Sequence, residues 1–267
     1  MNNILAGHTN CYHGHPRTAA LDGIAAAGFR FVELATGRGT HAIVPLEPTA
    51  ADLEALRAEL DARGLGIASI SGHSDLTTDA GLEEGLRAVD VCAALGVGIM
   101  NTSVGGTQGE AEDKAAFMER IPSLADYAAQ RRITLALEIH GGLMATGPKA
   151  VALVREIARP NVGINYDTAN CTYYGGVQAA NDIGVTLPHL VHVHIKDSGG
   201  GMREWNFPPV GQGRVDFPRV LRILEEGGYT GPLSVEIEFY GHPYPPLDEI
   251  NAAVRASFRY LQSLTTK

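Results

Sequence analysis

The sequence predicts one (β/α)8 TIM barrel spanning residues 1–267, and three observations predict it. Eight short apolar runs rich in Val, Ile and Leu recur with starts 26 to 43 residues apart, which leaves room for one helix in each gap. The gaps carry helical periodicity and end signals, and strands joined by such crossovers pair in parallel. No G-x-G-x-x-G follows the first run, which weighs against an open doubly wound sheet. The length suits a barrel of about 250 residues, and no linker or low-complexity stretch divides the chain.

Run one covers residues 4–6, and Leu21, Ile24 and Ala25 form the stripe of the helix after it, closed by Gly28. Run two, 30–34, precedes the sequence TAAD at 49–52, an N-terminal capping signal followed by Leu53, Leu56 and Leu60. Run three, 66–70, leads to Asp79 as a cap, then Leu82, Leu86, Val89 and Leu95, with Gly96 as the stop. Run four, 97–101, precedes Phe117, Ile121 and Leu124. Run five, 134–139, precedes Pro148, which suits a first helical turn, in a helix that ends before Pro160. Run six, 162–165, is joined to run seven, 190–195, by a helix on the same alternation. Asp216 and Phe217-Pro218 then open a helix with Val220, Leu221 and Leu224, stopped by Gly227-Gly228. Run eight, 233–237, leads to Asp248 and a last helix carrying Ile250, Val254, Phe258 and Leu261.

Composition narrows the partners. Apolar residues are 45% and charged residues 19%, as in a soluble globular domain. Lys+Arg total 21 against 30 Asp+Glu, a formal charge of −9, which repels a phosphate backbone and argues against nucleic acid. No apolar run approaches the ~18–20 residues of a bilayer span, so no membrane role is expected. The start, MNNILAGHTN, shows no secretory signal. Cys11, Cys92 and Cys171 are odd in number and widely spaced, which fits the cytoplasm rather than a disulfide framework or a thiolate zinc site. With nucleic acid and membrane disfavoured, the expected partner is a small molecule, and a homo-oligomer is compatible with all of this.

A barrel of this kind carries its chemistry at the C-terminal ends of its strands. Run five continues as LALEIHGG, with Glu138 and His140 on one face. Run six ends in Asp167 and is followed by Asn170, run seven carries His192, His194 and Lys196, and run eight carries Glu236 and Glu238. Ionised groups there are costly unless paired or metal-bound. One divalent cation shared by Glu138, Asp167, one of the two histidines and one of the two glutamates resolves that cost. The rim position favours His194, whereas Glu236 and Glu238 are equivalent on this argument. A mainly oxygen donor set suits Mn²⁺ first, or Mg²⁺, with Co²⁺ and Zn²⁺ as further options. His8 and His73, at the ends of runs one and three, are pocket candidates, whereas His41, His189 and His242 read as loop or surface residues. The glycines 199–201 after run seven offer either an anion cradle or a plain loop.

At these residues the chain resembles the sugar phosphate isomerase/epimerase family, whose xylose-isomerase-like TIM barrel belongs to the AP endonuclease family 2 superfamily. The matching stretches are LALEIHGG, INYDTAN, VHVHIKDS and VGQGRVDFPRVLRILEEGGYTGPLSVEIE, and the resemblance is clearest over 135–239. It implies a metal held by Glu138, Asp167, His194 and Glu236, with Glu138 and Glu236 also serving as the acid/base pair. It places His140, Asn170 and Lys196 against the substrate. Two departures stand out. Relatives that epimerise free ketoses at C3 carry His where this chain has Asn170, and Arg where it has Gly200; Arg203 lies close enough to substitute. The abasic-endonuclease branch needs histidines that the stretches Asn101-Thr-Ser103 and WNFPP at 205–209 lack.

The implied chemistry is α-proton abstraction from a ketose or keto-sugar through an enediolate, giving a metal-dependent isomerase or epimerase. A lyase or dehydratase acting by β-elimination on a 3-keto sugar, keto-glycoside or inosose shares the first half-reaction. A non-catalytic sugar-binding barrel is the third reading, and it has no need of the full ligand set. Trp205, with Phe207 and the prolines beside it, offers an apolar wall to a sugar, whereas Lys196 and Arg203 are few cations for a phosphate site. An unphosphorylated substrate is therefore expected.

Overall fold

The structure is a computed structural model and describes residues 3–38, 42–107, 111–239 and 244–265; His41 and His242 lie outside the described residues. Eight parallel strands close on themselves: β1 (Leu5–His8), β2 (Phe31–Gly37), β3 (Gly66–Ser71), β4 (Ile99–Thr102), β5 (Thr134–Glu138), β6 (Val162–Asp167), β7 (Leu190–Ile195) and β8 (Leu233–Val235). Closure is direct, because β1 pairs with β2 on one side and with β8 on the other. A two-residue strand, Val44–Pro45, lies against the end of β2 outside the barrel.

The helices follow the sequence signals with two differences. For α2 (Ala50–Asp61), Thr49 forms the expected capping box with Asp52. In α3 (Asp79–Leu95) the cap is Thr78, not Asp79: the Thr78 hydroxyl accepts from the Gly81 amide at 3.0 Å, while Asp79 sits in the first turn where its charge meets the positive end of the helix dipole. Pro148 opens α5 (Gly147–Ile157), and Asp216 caps α8 (Phe217–Glu226), which buries Phe217, Val220, Leu221 and Leu224. Truncating Leu224 to Ala there would cost about 2–5 kcal/mol. The last helix is α9 (Leu247–Thr265), and α1 (Arg17–Ala27) and α4 (Ala111–Gln130) complete the long ones.

The second difference lies between β6 and β7. The crossover is not one helix but α6 (Asn170–Gly175), α7 (Ala179–Asp182) and a 3-10 stretch, Ile183–His189. Gly176 adopts φ +66° and ends α6, and Pro188 lies in the 3-10 stretch. The Asp182 carboxylate accepts from the Gly147 amide at 2.6 Å and the Tyr166 hydroxyl at 2.8 Å, tying these short pieces to α5 and β6.

Alternation along the strands sorts the two faces of the sheet. Leu34, Ile70, Met100, Leu137, Ile164 and Val193 belong to the apolar core between sheet and helices. The opposite face is polar: Glu33, Ser69, Asn101, Asn165, His192 and Ser234 all have no solvent exposure. Two register shifts serve this lining. Ala68 is an extra residue that brings Ser69 opposite Glu33, and Val191 is another that brings His192 opposite Asn165 and His194 opposite Asp167. Among the described residues no helix is long and apolar enough to cross a membrane. The three cysteines are free and buried.

Candidate metal centre and active-site cleft

Glu138 ends β5, Asp167 ends β6, His194 lies on β7 and Glu236 follows β8, all buried. One donor atom from each lies within 4.8 Å of all the others. His194 Nδ1 is 3.3 Å from Glu138 Oε1, 3.5 Å from Glu236 Oε2 and 3.9 Å from Asp167 Oδ2. Asp167 Oδ1 accepts from the amides of Ala169 and Asn170 at 2.8 and 2.7 Å, which fixes the carboxylate. Its Oδ2 is buried without a hydrogen-bond partner. A bare buried carboxylate oxygen aimed at three other donors is what a cation would take up. Three carboxylates and one imidazole suit a divalent ion that prefers oxygen.

The geometry separates the paired candidates. His192 sits deeper, with its Nε2 3.0 Å from Ser69 Oγ and its Nδ1 3.0 Å from Asn165 Oδ1. Burial pushes it down to about 3, so it stays neutral. Glu238 turns instead to Lys196, whose Nζ donates to its Oε2 at 2.5 Å. Lys196 Nζ is also 3.5 Å from Glu236 Oε2 and 3.7 Å from Asp167 Oδ2, and 4.5 Å from the Phe207 ring.

Charge in the cluster is balanced by these cations. Burial opposes ionisation of Glu236, but Lys196 and His194 outweigh it and hold the carboxyl at about 2. Burial acts against Glu138 in the same way and is overcome by His194 and His73, which hold it well below the ordinary range. Burial disfavours the His194 imidazolium, yet Glu33, Glu236 and Glu138 hold it well above its ordinary value. Asp167 goes the other way: burial, with Glu138 and Glu236 beside it, pushes it up to about 8 despite Lys196.

A cleft of about 330 Å³ opens over this cluster, and Glu138 and Glu236 line it together with His8, His73 and His140. Asn10, Thr36, Ser71 and Ser103 add further polar groups to its wall. Each glutamate has an outer partner there. His73 Nε2 donates to Glu138 Oε2 at 2.6 Å, and Asn10 Nδ2 donates to Glu236 Oε1 at 2.9 Å. The Tyr174 hydroxyl lies 3.0 Å from His140 Nε2 and orients that ring. Asn170 and Lys196 are buried below the cleft, where Asn170 Nδ2 donates to Glu138 Oε1 at 3.1 Å. Trp205 lines an adjacent cavity with His13, Phe239 and Tyr244, and this cavity shares Asn10, His13 and Glu238 with the cleft. Arg203 is not brought to either cavity; its guanidinium lies over the Tyr174 ring at 5.1 Å. The glycine loop is no open anion cradle, since the Gly199 amide donates to Asn206 O and the Gly201 amide to the Glu204 carboxylate.

Sequence reasoning missed Glu33, Asn10 and Ser71. Glu33 is fully buried on β2, with His194 Nε2 3.2 Å from both of its oxygens.

With this geometry in view, comparisons with known proteins are informative. The family described as xylose isomerase-like TIM barrels matches residues 21–264. An L-ribulose 3-epimerase of Methylomonas sp. (strain DH-1) is 29% identical over 236 residues, 81% of this chain and 77% of that protein. L-ribulose-5-phosphate 3-epimerase UlaE of Salmonella typhi is 26% identical over 228 residues, 79% of this chain and 78% of that protein. A D-psicose 3-epimerase structure determined in the presence of D-fructose superposes with a TM-score of 0.79 at 19% identity, covering 99% of this chain and 100% of its own.

Proposed function

The chain belongs to the family of xylose isomerase-like TIM barrels, and from that premise we propose that it is a sugar isomerase or epimerase that removes an α-proton from a ketose or keto-sugar and needs one divalent metal ion. The observation that carries this reading is the placement of Glu138 and Glu236. Each turns one oxygen to the shared centre and has the other held by a residue of the cleft wall. Relatives that act as 3-epimerases on ketoses and ketose phosphates support the reaction class.

Glu138, Asp167, His194 and Glu236 would hold Mn²⁺ or Mg²⁺, which would polarise a substrate carbonyl and acidify the neighbouring C–H. Strands β6 and β7 separate β5 from β8, so the two glutamates flank a substrate seated over Asp167 and His194. One glutamate takes the α-proton; the other, ionised at rest, would take up a proton from solvent through the cleft and deliver it to the opposite face, which inverts the carbon, and the first would then release its proton to solvent. Return to the adjacent carbon instead is isomerisation. His73 and Asn10 fix the direction of the two carboxylates, and Lys196 offsets part of the negative charge they share with Asp167. His140 lines the cleft and would bind a substrate hydroxyl, whereas both ring nitrogens of His8 are engaged, by the Asn10 amide and by Glu33. A cleft of about 330 Å³ suits a monosaccharide. Arg38 lines it too, but its Nε is 2.5 Å from Glu84 Oε1. With Lys196 committed to Glu238, this favours an unphosphorylated sugar.

The experiment is proton NMR in D₂O with Mn²⁺ and a panel of ketoses, keto-glycosides and ketose phosphates. An isomer carrying deuterium at the exchanged carbon is the expected product. A product lighter by water or by an aglycone would assign the lyase reaction instead, and binding without turnover of any compound would leave a sugar-binding barrel.

A further inference from the structure

The centre has a fifth buried acid on its far side. Glu33 lies on β2, across the barrel from the strands that supply the four donors, and its side chain has no solvent exposure. His194 stands between the two groups: Nδ1 faces Glu138, Asp167 and Glu236, while Nε2 faces both oxygens of Glu33 at 3.2 Å. We propose that Glu33 is the positioning residue of the metal centre, holding the His194 ring through Nε2–H so that Nδ1 is presented to the cation. The proposal rests on the reading of the four residues as a metal site.

Besides His192, whose Nε2 lies 3.5 Å from Oε2, two donors fix Glu33 itself. Asn101 Nδ2 donates to Glu33 Oε1 at 2.6 Å. His8 Nε2 lies 3.5 Å from the same oxygen. The tautomer of His8 follows from its other nitrogen, which accepts from the Asn10 amide at 2.8 Å. Its proton is therefore on Nε2, directed at Glu33. His8, Glu33 and His194 are close enough to form a metal-binding trio of their own. The fixed His8 tautomer argues against that use, because a protonated nitrogen cannot ligate. Glu33 is thus an acceptor surrounded by donors, and orienting a ligating imidazole through its second nitrogen commonly changes metal affinity 10–100-fold.

The test is calorimetric Mn²⁺ titration of the full-length protein, with the visible spectrum of the Co²⁺-loaded protein as a second readout. Wild type should bind one Mn²⁺ per chain. Glu33→Gln keeps the side-chain shape and should lower affinity 10–100-fold and shift the Co²⁺ bands. Should that variant fail to fold, Asn101→Ala leaves the Glu33 charge in place but frees its carboxylate, and should lower affinity several-fold. Asp167→Asn is the control for the centre itself. Wild type that binds no Mn²⁺ would refute the metal centre and the proposal with it. Wild-type affinity and an unshifted spectrum in Glu33→Gln, or unchanged affinity in Asn101→Ala, would refute the role of Glu33 alone. A second Mn²⁺ lost with Glu33 would show the trio to be a site in its own right and overturn the positioning role.

Discussion

Strands β5 to β8 bring Glu138, Asp167, His194, Lys196 and Glu236 to the mouth of the barrel, whereas β1 to β4 bring His8, Glu33, Ser71 and Asn101. The first set concentrates charge of both signs within a few ångströms. In the second set Glu33 is the one ionised carboxylate, and it faces the back of His194 rather than the cleft. On the proposed mechanism, one half of the mouth holds the reacting charges, and the other half holds the hydrogen-bonding groups that aim them. Enzymes that generate carbanion character need both, because a carboxylate acts as a base only from a defined direction.

Removing chemistry from the charged half should have the largest effect. Glu138→Gln and Glu236→Gln keep an oxygen but cannot take a proton at neutral pH, and each should lower kcat by about 10²–10⁴-fold. Steady-state rates and deuterium exchange of the substrate α-position measure this, and near wild-type values in either metal-loaded variant would remove the two-carboxylate mechanism. Lys196→Met should act on stability. It leaves a buried cluster of carboxylates without its fixed cation, at a cost of about 3–5 kcal/mol in the metal-free protein. Thermal unfolding with and without Mn²⁺ checks it, and the added ion should recover part of the loss.

Acidity sharpens the same contrast. Asp167 is pushed up to about 8 in the metal-free protein, so below that pH a cation must displace its proton. The Asp167 proton should make apparent Mn²⁺ affinity rise by up to tenfold per unit as pH increases toward 8 and then flatten, and the Nδ1 proton that the His194 imidazolium must lose adds to the rise. Calorimetry at pH 6, 7 and 8 tests the sign; an affinity that is flat over this range would show Asp167 already ionised. The smallest effect should come from the outer wall. Trp205 is 42% exposed and lines the adjacent cavity rather than the cleft. Trp205→Ala should raise KM for a free ketose by less than about tenfold with kcat unchanged, since one half-exposed aromatic contributes about 0.5–1.5 kcal/mol. A strong preference for the phosphate ester, indifferent to removal of the indole, would contradict the unphosphorylated substrate.

The two halves were also unequally legible in the sequence. On β5 to β8 the ionisable residues recur at two-residue spacing in short apolar runs, as in LEIH, HVHIK and VEIE, so the pattern gave the barrel and a list of candidate donors, with alternatives left open on β7 and β8. The preference for Glu236 over Glu238 came from the family resemblance and not from the residue pattern, because both lie on one face; in the fold, distance to His194 and Lys196 divides them. On β2 the run FVELATG carries a single acid among apolar neighbours. A lone Glu in such a run looks like a strand-end surface residue, and nothing local signals that a register shift in the neighbouring strand sets Ser69 opposite Glu33 inside the barrel. Asn10 lies in a short 3-10 turn after β1, beyond any periodic signal. The broken crossover between β6 and β7 was hidden for the opposite reason: regular alternation elsewhere suggested one helix where Gly176 and Pro188 divide the chain.

The polar lining of the barrel has a consequence for how charge can move in the cleft above it. Many barrels fill this space with branched apolar side chains. Here Ser69, His192 and Asn165 are hydrogen-bonded in a buried chain and Asn101 is held by Glu33, so the directions of these dipoles are largely fixed, while the buried Ser234 hydroxyl beside them has no hydrogen-bond partner. In the proposed reaction negative charge shifts from a glutamate to the substrate and back, and a fluid solvent would have to turn its molecules to follow. Oriented amides and hydroxyls have little turning left to do, so the cost of rearranging the surroundings is met when the chain folds rather than at each turnover.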